Sequence, residues 1–181
     1  MKGICYKEPL FNKVVSGEKI QTRRLVNIPE GYKYERSGPC GPPQGPSLLV
    51  INDQYNRKFI YPRYRPGEIV YLKEPYAPNI HVIETLRGVK NVEYLYGSSV
   101  NSKNTYHWKN KLFMPEMYAR YFTKIKEVSV ERAHDITEAD AVLEGCRDRA
   151  EFENWWIKIH GFSSWTENPW VWKYDFVLTN K

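Results

Sequence analysis

An α+β fold, a small barrel or curled sheet with helices packed on it, is predicted by three features of this sequence. Its strand-forming segments are short and rich in β-branched and aromatic residues. Only a few helical stretches interrupt them, and no regular strand–helix alternation signals a parallel βαβ sheet. The length of 181 residues fits one domain spanning 1–181, since a single core serves chains up to about 200 residues. With 41% hydrophobic and 27% charged residues the chain is too apolar to be disordered.

Gly3 to Tyr6 reads as a first strand. Pro9 suits the first turn of a short helix whose Leu10, Val14 and Val15 share a face, and Gly17 stops it. The chain then enters its first dense polar cluster, Glu18-Lys19-Ile20-Gln21-Thr22-Arg23-Arg24. From Asn27 to Ser47, prolines and glycines from Pro29 to Pro46 predict a long loop at 27–47 without helix or central strand, suited to a lid or binding loop. Leu48–Ile51, Lys58–Tyr61 and Ile69–Leu72 follow as strands, the last after a Pro66-Gly67 turn. A variable insertion is expected over 77–110, with Val92–Tyr96 its best strand. Ala119–Arg132 is a long strand whose broken alternation predicts a bulge. Thr137 can cap a helix with Glu138 and Asp140 in its first turn and Gly145 as its stop. A second helix is predicted over Ala150–His160. Asp148 and Glu151 stand at capping-box spacing, Phe152, Trp155, Trp156 and Ile159 face inward, and Gly161 ends it. Trp170–Leu178 closes the chain as a strand with Trp172, Tyr174, Phe176 and Leu178 on one face.

The net charge of +6 favours an anionic partner. The 15% aromatic residues either fill the core or offer faces for bases. Cys5, Cys40 and Cys146 are scattered thiols, which excludes a disulfide framework and a zinc finger and points to a reducing, cytoplasmic setting. No signal peptide or membrane-spanning run is present, so no membrane partner is expected. His81, His107, His134 and His160 lack metal-ligand spacing, so neither metal nor cofactor is expected.

Lys19, Thr22 and Arg24, with Arg23 beside them, support two readings: a solvated basic loop, or a site in which Lys19 acts as base and Thr22 as nucleophile. The second requires burial or neighbouring cations to lower the lysine's pKa. Glu144, at the end of its helix, is either a surface carboxylate or a proton donor whose pKa the helix dipole raises. Two stretches interleave cations with rings, from Tyr55 to Arg65 and from Lys103 to Phe113. Each fits single-stranded nucleic acid or an ordinary in–out strand pattern equally well.

Taken in order, these pieces resemble the ASCH family, named for activating signal cointegrator homology and related to PUA RNA-binding domains. Gly17-x-Lys19-x-x-Thr22-x-Arg24 fits its signature loop, and Pro66-Gly67-Glu68-Ile69-Val70-Tyr71-Leu72-Lys73-Glu74 resembles its next strand, with Glu68 where Asp is usual. Met114-Pro115, Arg120, Val130-Glu131-Arg132, Asp135 to Ala141, Glu144-Gly145 and Asn168-Pro169-Trp170-Val171-Trp172 look like the branch often encoded by bacteriophages and prophages. The resemblance implies a PUA-like barrel with flanking helices and a cleft lined by the signature loop. It implies an RNA or modified-nucleoside partner.

Some small members resemble amidohydrolases acting on acetylated cytidine through a lysine, a threonine and a glutamate, which fall by motif on Lys19, Thr22 and Glu144. Arg23, Arg24, Glu74 and Arg120 are then substrate- or nucleic-acid-binding candidates, with Glu74 a rival for the glutamate. Two alternatives stay open: a non-catalytic nucleic-acid-binding accessory protein of phage origin, and a metal-independent ribonuclease.

Overall fold

A computed structural model describes residues 1–40, 45–77 and 109–180, with 83–84, 90–91 and 95–96 between the last two stretches. The expected insertion at 77–110 lies largely outside the described residues. Of its predicted strand, residues 92–94 are outside them as well.

Five strands form the main sheet: β1 (Gly3–Cys5), β2 (Gln21–Leu25), β6 (Ile69–Lys73), β11 (Phe122–Arg132) and β12 (Trp170–Thr179). Their order is β1-β6-β11-β12-β2, with β1 parallel to β6 and every other pair antiparallel. A second sheet runs β3-β4-β5, from β3 (Tyr32–Cys40), β4 (Gly45–Asn52) and β5 (Arg57–Ile60). Two minor ladders pair β7 (Tyr76–Ala77) with β10 (Leu95–Tyr96), and β8 (Ile83–Glu84) with β9 (Lys90–Asn91). The helices are α1 (Glu8–Val15), α2 (Glu138–Leu143), α3 (Arg149–His160) and α4 (Phe162–Thr166). The architecture is a strand-rich α+β fold. Among the described residues no helix is long and apolar enough to cross a membrane.

β12 separates two cores. Trp172, Tyr174 and Phe176 join Leu48, Val70, Leu72, Ile125 and the α1 residues Leu10, Phe11 and Val14 on one side. Val171 faces the other side, with Ala141, Phe152, Trp156 and Trp165 from the helical layer. The predicted bulge is present: the ladder with β12 shifts register between Ile125 and Glu127, leaving Lys126 as the extra residue. Thr137 Oγ1 caps α2 by accepting from Asp140 N at 3.0 Å, and Asp148 caps α3 by accepting from Glu151 N at 2.7 Å.

Four expectations need correction. The 27–47 segment is not a long loop, because Tyr32–Cys40 and Gly45–Asn52 pair as antiparallel strands. Prolines are tolerated because β3 is an edge strand, and because β4 gains its second neighbour only from Leu48 onward, after Pro46. Tyr34 also packs inward, its ring 4.2 Å from that of Trp170. Residues 41–44 are outside the description.

Second, among the described residues the sheets are not closed into a barrel: β1 and β2 remain edges. A side chain spans the gap between them, Arg24 Nη2 donating to Cys5 O at 2.7 Å. Third, the 18–24 cluster is no solvated loop: it runs into β2, and Lys19, Thr22 and Arg23 are buried. Finally, Ile159 is 39% and Leu178 45% exposed. Ile157 packs on the helical core instead, with Trp155 half-buried beside it.

Candidate functional site

Lys19 and Glu144, 125 residues apart, meet because the turn between α1 and β2 docks on the end of α2. Lys19 N donates to Lys13 O and Ile20 N to Leu143 O, each at 2.9 Å, while Lys13 Nζ donates to Gly145 O. Gly145 has φ +82°, a left-handed turn that aims Glu144 inward, and a Cβ there would lie 3.1 Å from Lys19 Cβ. Lys19 Nζ donates to Glu144 O at 2.8 Å and to Glu144 Oε2 in a short contact. Both residues are buried.

Burial lowers the pKa of Lys19, an effect opposed by the charge and hydrogen bond of Glu144 and reinforced by Arg24. The pair is therefore one buried, hydrogen-bonded unit, since the low dielectric penalises either group left without its partner. Glu144 follows a helix of only six residues, and two cations, Lys19 and Arg23, hold its carboxylate directly.

Thr22 lies in β2 opposite Tyr174 and is buried. Lys19, Thr22, Arg23, Arg24 and Glu144 all line one cavity of about 230 Å³, together with Tyr6, Cys146, Trp155, Trp156 and His160. Cavities that hold drug-sized ligands start at about 300 Å³, so this one lies below that range. Two of its walls carry unmet polar atoms. Tyr6 Oη and Arg24 Nε are buried without a hydrogen-bond partner among the described residues. The Arg24 guanidinium sits 5.0 Å from the Tyr6 ring centre. Burial raises the Tyr6 pKa strongly, so its hydroxyl stays a donor. Burial also pushes the Cys146 thiol up to about 11, so it is protonated at neutral pH. His160, packed 4.6 Å from Trp156, has its pKa lowered first by desolvation and then by Arg24.

Not every expected site residue joins this group as a ligand-facing cation. Arg23 touches the cavity, but its Nε donates to Glu131 at 2.6 Å and its Nη1 to Gln21 at 2.6 Å and Glu144 at 3.2 Å. Its Nη2 lies 3.2 Å from Asp140 Oδ2, close enough for charge attraction but without hydrogen-bond geometry. Three carboxylates thus surround it. Glu74 and Arg120 line neither this cavity nor the one on its far side. They pair with each other in a two-point contact, Nε to Oε1 at 2.9 Å and Nη2 to Oε2 at 2.6 Å.

The first aromatic-basic stretch divides. Tyr55, Phe59 and Tyr61 are exposed and Tyr64 is buried. Of the second, Lys103, Tyr106, His107 and Trp108 lie outside the described residues. Tyr6 and the α3 residues were missed as site residues, because no motif marks them and only the docking of α3 brings them in. Among the described residues no three His, Cys, Asp or Glu side chains gather as a metal ion would require. No family model matches the chain, and neither a curated protein nor a solved structure does.

Proposed function

We propose that this chain is an ASCH-type, PUA-like domain whose cavity binds a modified cytidine, free or in RNA, and hydrolyses the amide of N4-acetylcytidine. The observation that carries the reading is the buried Lys19–Glu144 pair on the same cavity wall as Thr22. An arginine side chain joining the sheet's two free edges supports a barrel that is opened at one seam.

In this reading the neutral Lys19 amine takes the proton from Thr22 Oγ1, which bonds to the acetyl carbon. The carbonyl oxygen gains charge, and Arg24 stands ready to donate to it from Nε. The C–N4 bond breaks as the Glu144 carboxyl gives its proton to the leaving nitrogen. Cytidine departs and Thr22 is left as an acetyl ester. Water then adds to the ester carbon and gives a proton to Glu144, Lys19 returns its proton to the departing threonine oxygen, and acetic acid leaves. Tyr6, Trp155 and Trp156 give the cavity the rings that a pyrimidine stacks against.

The test is chromatography of N4-acetylcytidine incubated with wild-type protein, Lys19→Ala and Thr22→Val. Release of cytidine by the wild type alone supports the reading. Binding of the nucleoside or of RNA without turnover would instead favour a non-catalytic nucleic-acid-binding module, for which the exposed Tyr55, Phe59 and Tyr61 speak. Cleavage of RNA with the acetyl group retained would indicate a ribonuclease. The neutralised Arg23 argues against that mode of phosphate grip.

A further inference from the structure

A second cavity, of about 530 Å³, lies on the far side of Arg24. Arg24 and Cys5 line both cavities, so their hydrogen bond is the bar that divides them. Around this second space stand three cations, Arg24, Arg63 and Lys73, and not one carboxylate among the lining residues. The contrast with Arg23 is direct, since that guanidinium is held by Glu131, Asp140 and Glu144. Three like charges around one opening repel one another unless an anion sits between them.

The Arg63 side chain is exposed, and its backbone is held in place. Lys2 Nζ donates to Arg63 O at 2.7 Å, Tyr174 Oη accepts from Arg63 N at 3.2 Å, and the Arg63 guanidinium lies 5.6 Å from the Tyr64 ring centre. Lys73 Nζ donates to Leu112 O at 2.6 Å, and an ammonium has two further protons to give. Arg24 brings its charge to this cavity through the wall it shares with the first.

We infer that this second cavity is a phosphate subsite, and that the ligand of the first cavity is therefore a phosphate ester of the nucleoside rather than the free nucleoside. The inference rests on the nucleoside reading of the first cavity and names its substrate class. The base lies on the Tyr6 side of Arg24, and the phosphate lies among Arg24, Arg63 and Lys73. The same chemistry serves a mononucleotide's monoester and an RNA chain's diester.

Calorimetric titration separates these sources. The Thr22→Val protein, which binds without consuming ligand, is titrated with N4-acetylcytidine, its 5′- and 3′-monophosphates, and a trinucleotide carrying the acetylated base in the middle. One or more of the phosphate esters should bind about tenfold or more tightly than the nucleoside at low salt, the scale of one charge-assisted hydrogen bond. Adding Arg63→Gln, and separately Lys73→Gln, should shrink that ratio, with circular dichroism confirming the fold. A tighter monophosphate identifies a nucleotide ligand, and a gain confined to the trinucleotide identifies RNA; either supports the subsite. Equal affinities, no binding by any of the four, or a ratio untouched by both substitutions overturns it. Acetate release is not read, so a protein that binds the esters but hydrolyses nothing would overturn only the amidohydrolase reading.

Discussion

Lys19 and Cys146 face the same cavity and respond to burial in opposite directions, which gives the stability of the protein a pH dependence of known sign. The folded-state pKa of Lys19 is lowered from 10.5, so the unfolded chain binds more protons between the two values and stability rises with pH across that window. Cys146 moves from 9.0 up to about 11 and Tyr174 from 10.0 up to about 12, so each removes stability as pH climbs through those intervals. Cys146→Ala should flatten the loss between pH 9 and 11 in guanidinium titrations; an unchanged slope would mean the thiol is not desolvated. Glu144→Ala should cost about 3–5 kcal/mol, because it strands Lys19 and part of Arg23 in the interior. Glu144→Gln, which keeps acceptor and volume, should cost less, and equal losses would argue that the charge is irrelevant. At this scale Lys19 and Thr22 were legible as a spaced motif, and Glu144 as the carboxylate before a helix-stopping glycine. The neutralisation of Arg23 was not, because Glu131 and Glu144 lie 108 and 121 residues away and only the packing of β11 and α2 brings them in.

The end of α2 carries the geometry of the site. Gly145→Ala would force a Cβ into left-handed backbone, at about 1–2 kcal/mol, and would press on Lys19 Cβ at 3.1 Å. Loss of activity larger than the stability loss explains is the expected outcome; full activity would mean the turn does not position Lys19. Removing the cap by Thr137→Ala should cost about 1 kcal/mol, measured by the same titration. Helix boundaries were readable because caps and glycine stops are local chemistry. The hairpin of β3 and β4 was not, because its prolines read as a loop wherever the strand is assumed to be central. Edge position, which sequence does not display, reversed that reading.

Across the whole molecule, the sheet is held open at one seam and bridged there by Arg24. Arg24→Leu should lower amide hydrogen-exchange protection in β2, whose outer edge has no ladder partner among the described residues, and leave the long β11–β12 ladder protected. Uniform loss of protection would instead mean that Arg24 supports global stability. The α+β class was legible from short strands and scattered helices. The open seam was not, because whether two edge strands pair depends on how far apart packing leaves them, and an arginine side chain spans that gap here.

In the proposed mechanism Thr22 performs covalent chemistry on an acetylated cytidine. The direct measurement is mass spectrometry of the peptide containing Thr22, after protein mixed with excess N4-acetylcytidine is quenched in acid within the first turnovers. An added acetyl group on Thr22, absent from the Lys19→Ala protein, is the expected result. Unmodified Thr22 under conditions where cytidine and acetate accumulate would contradict the mechanism, and unmodified Thr22 with no product would contradict the activity itself.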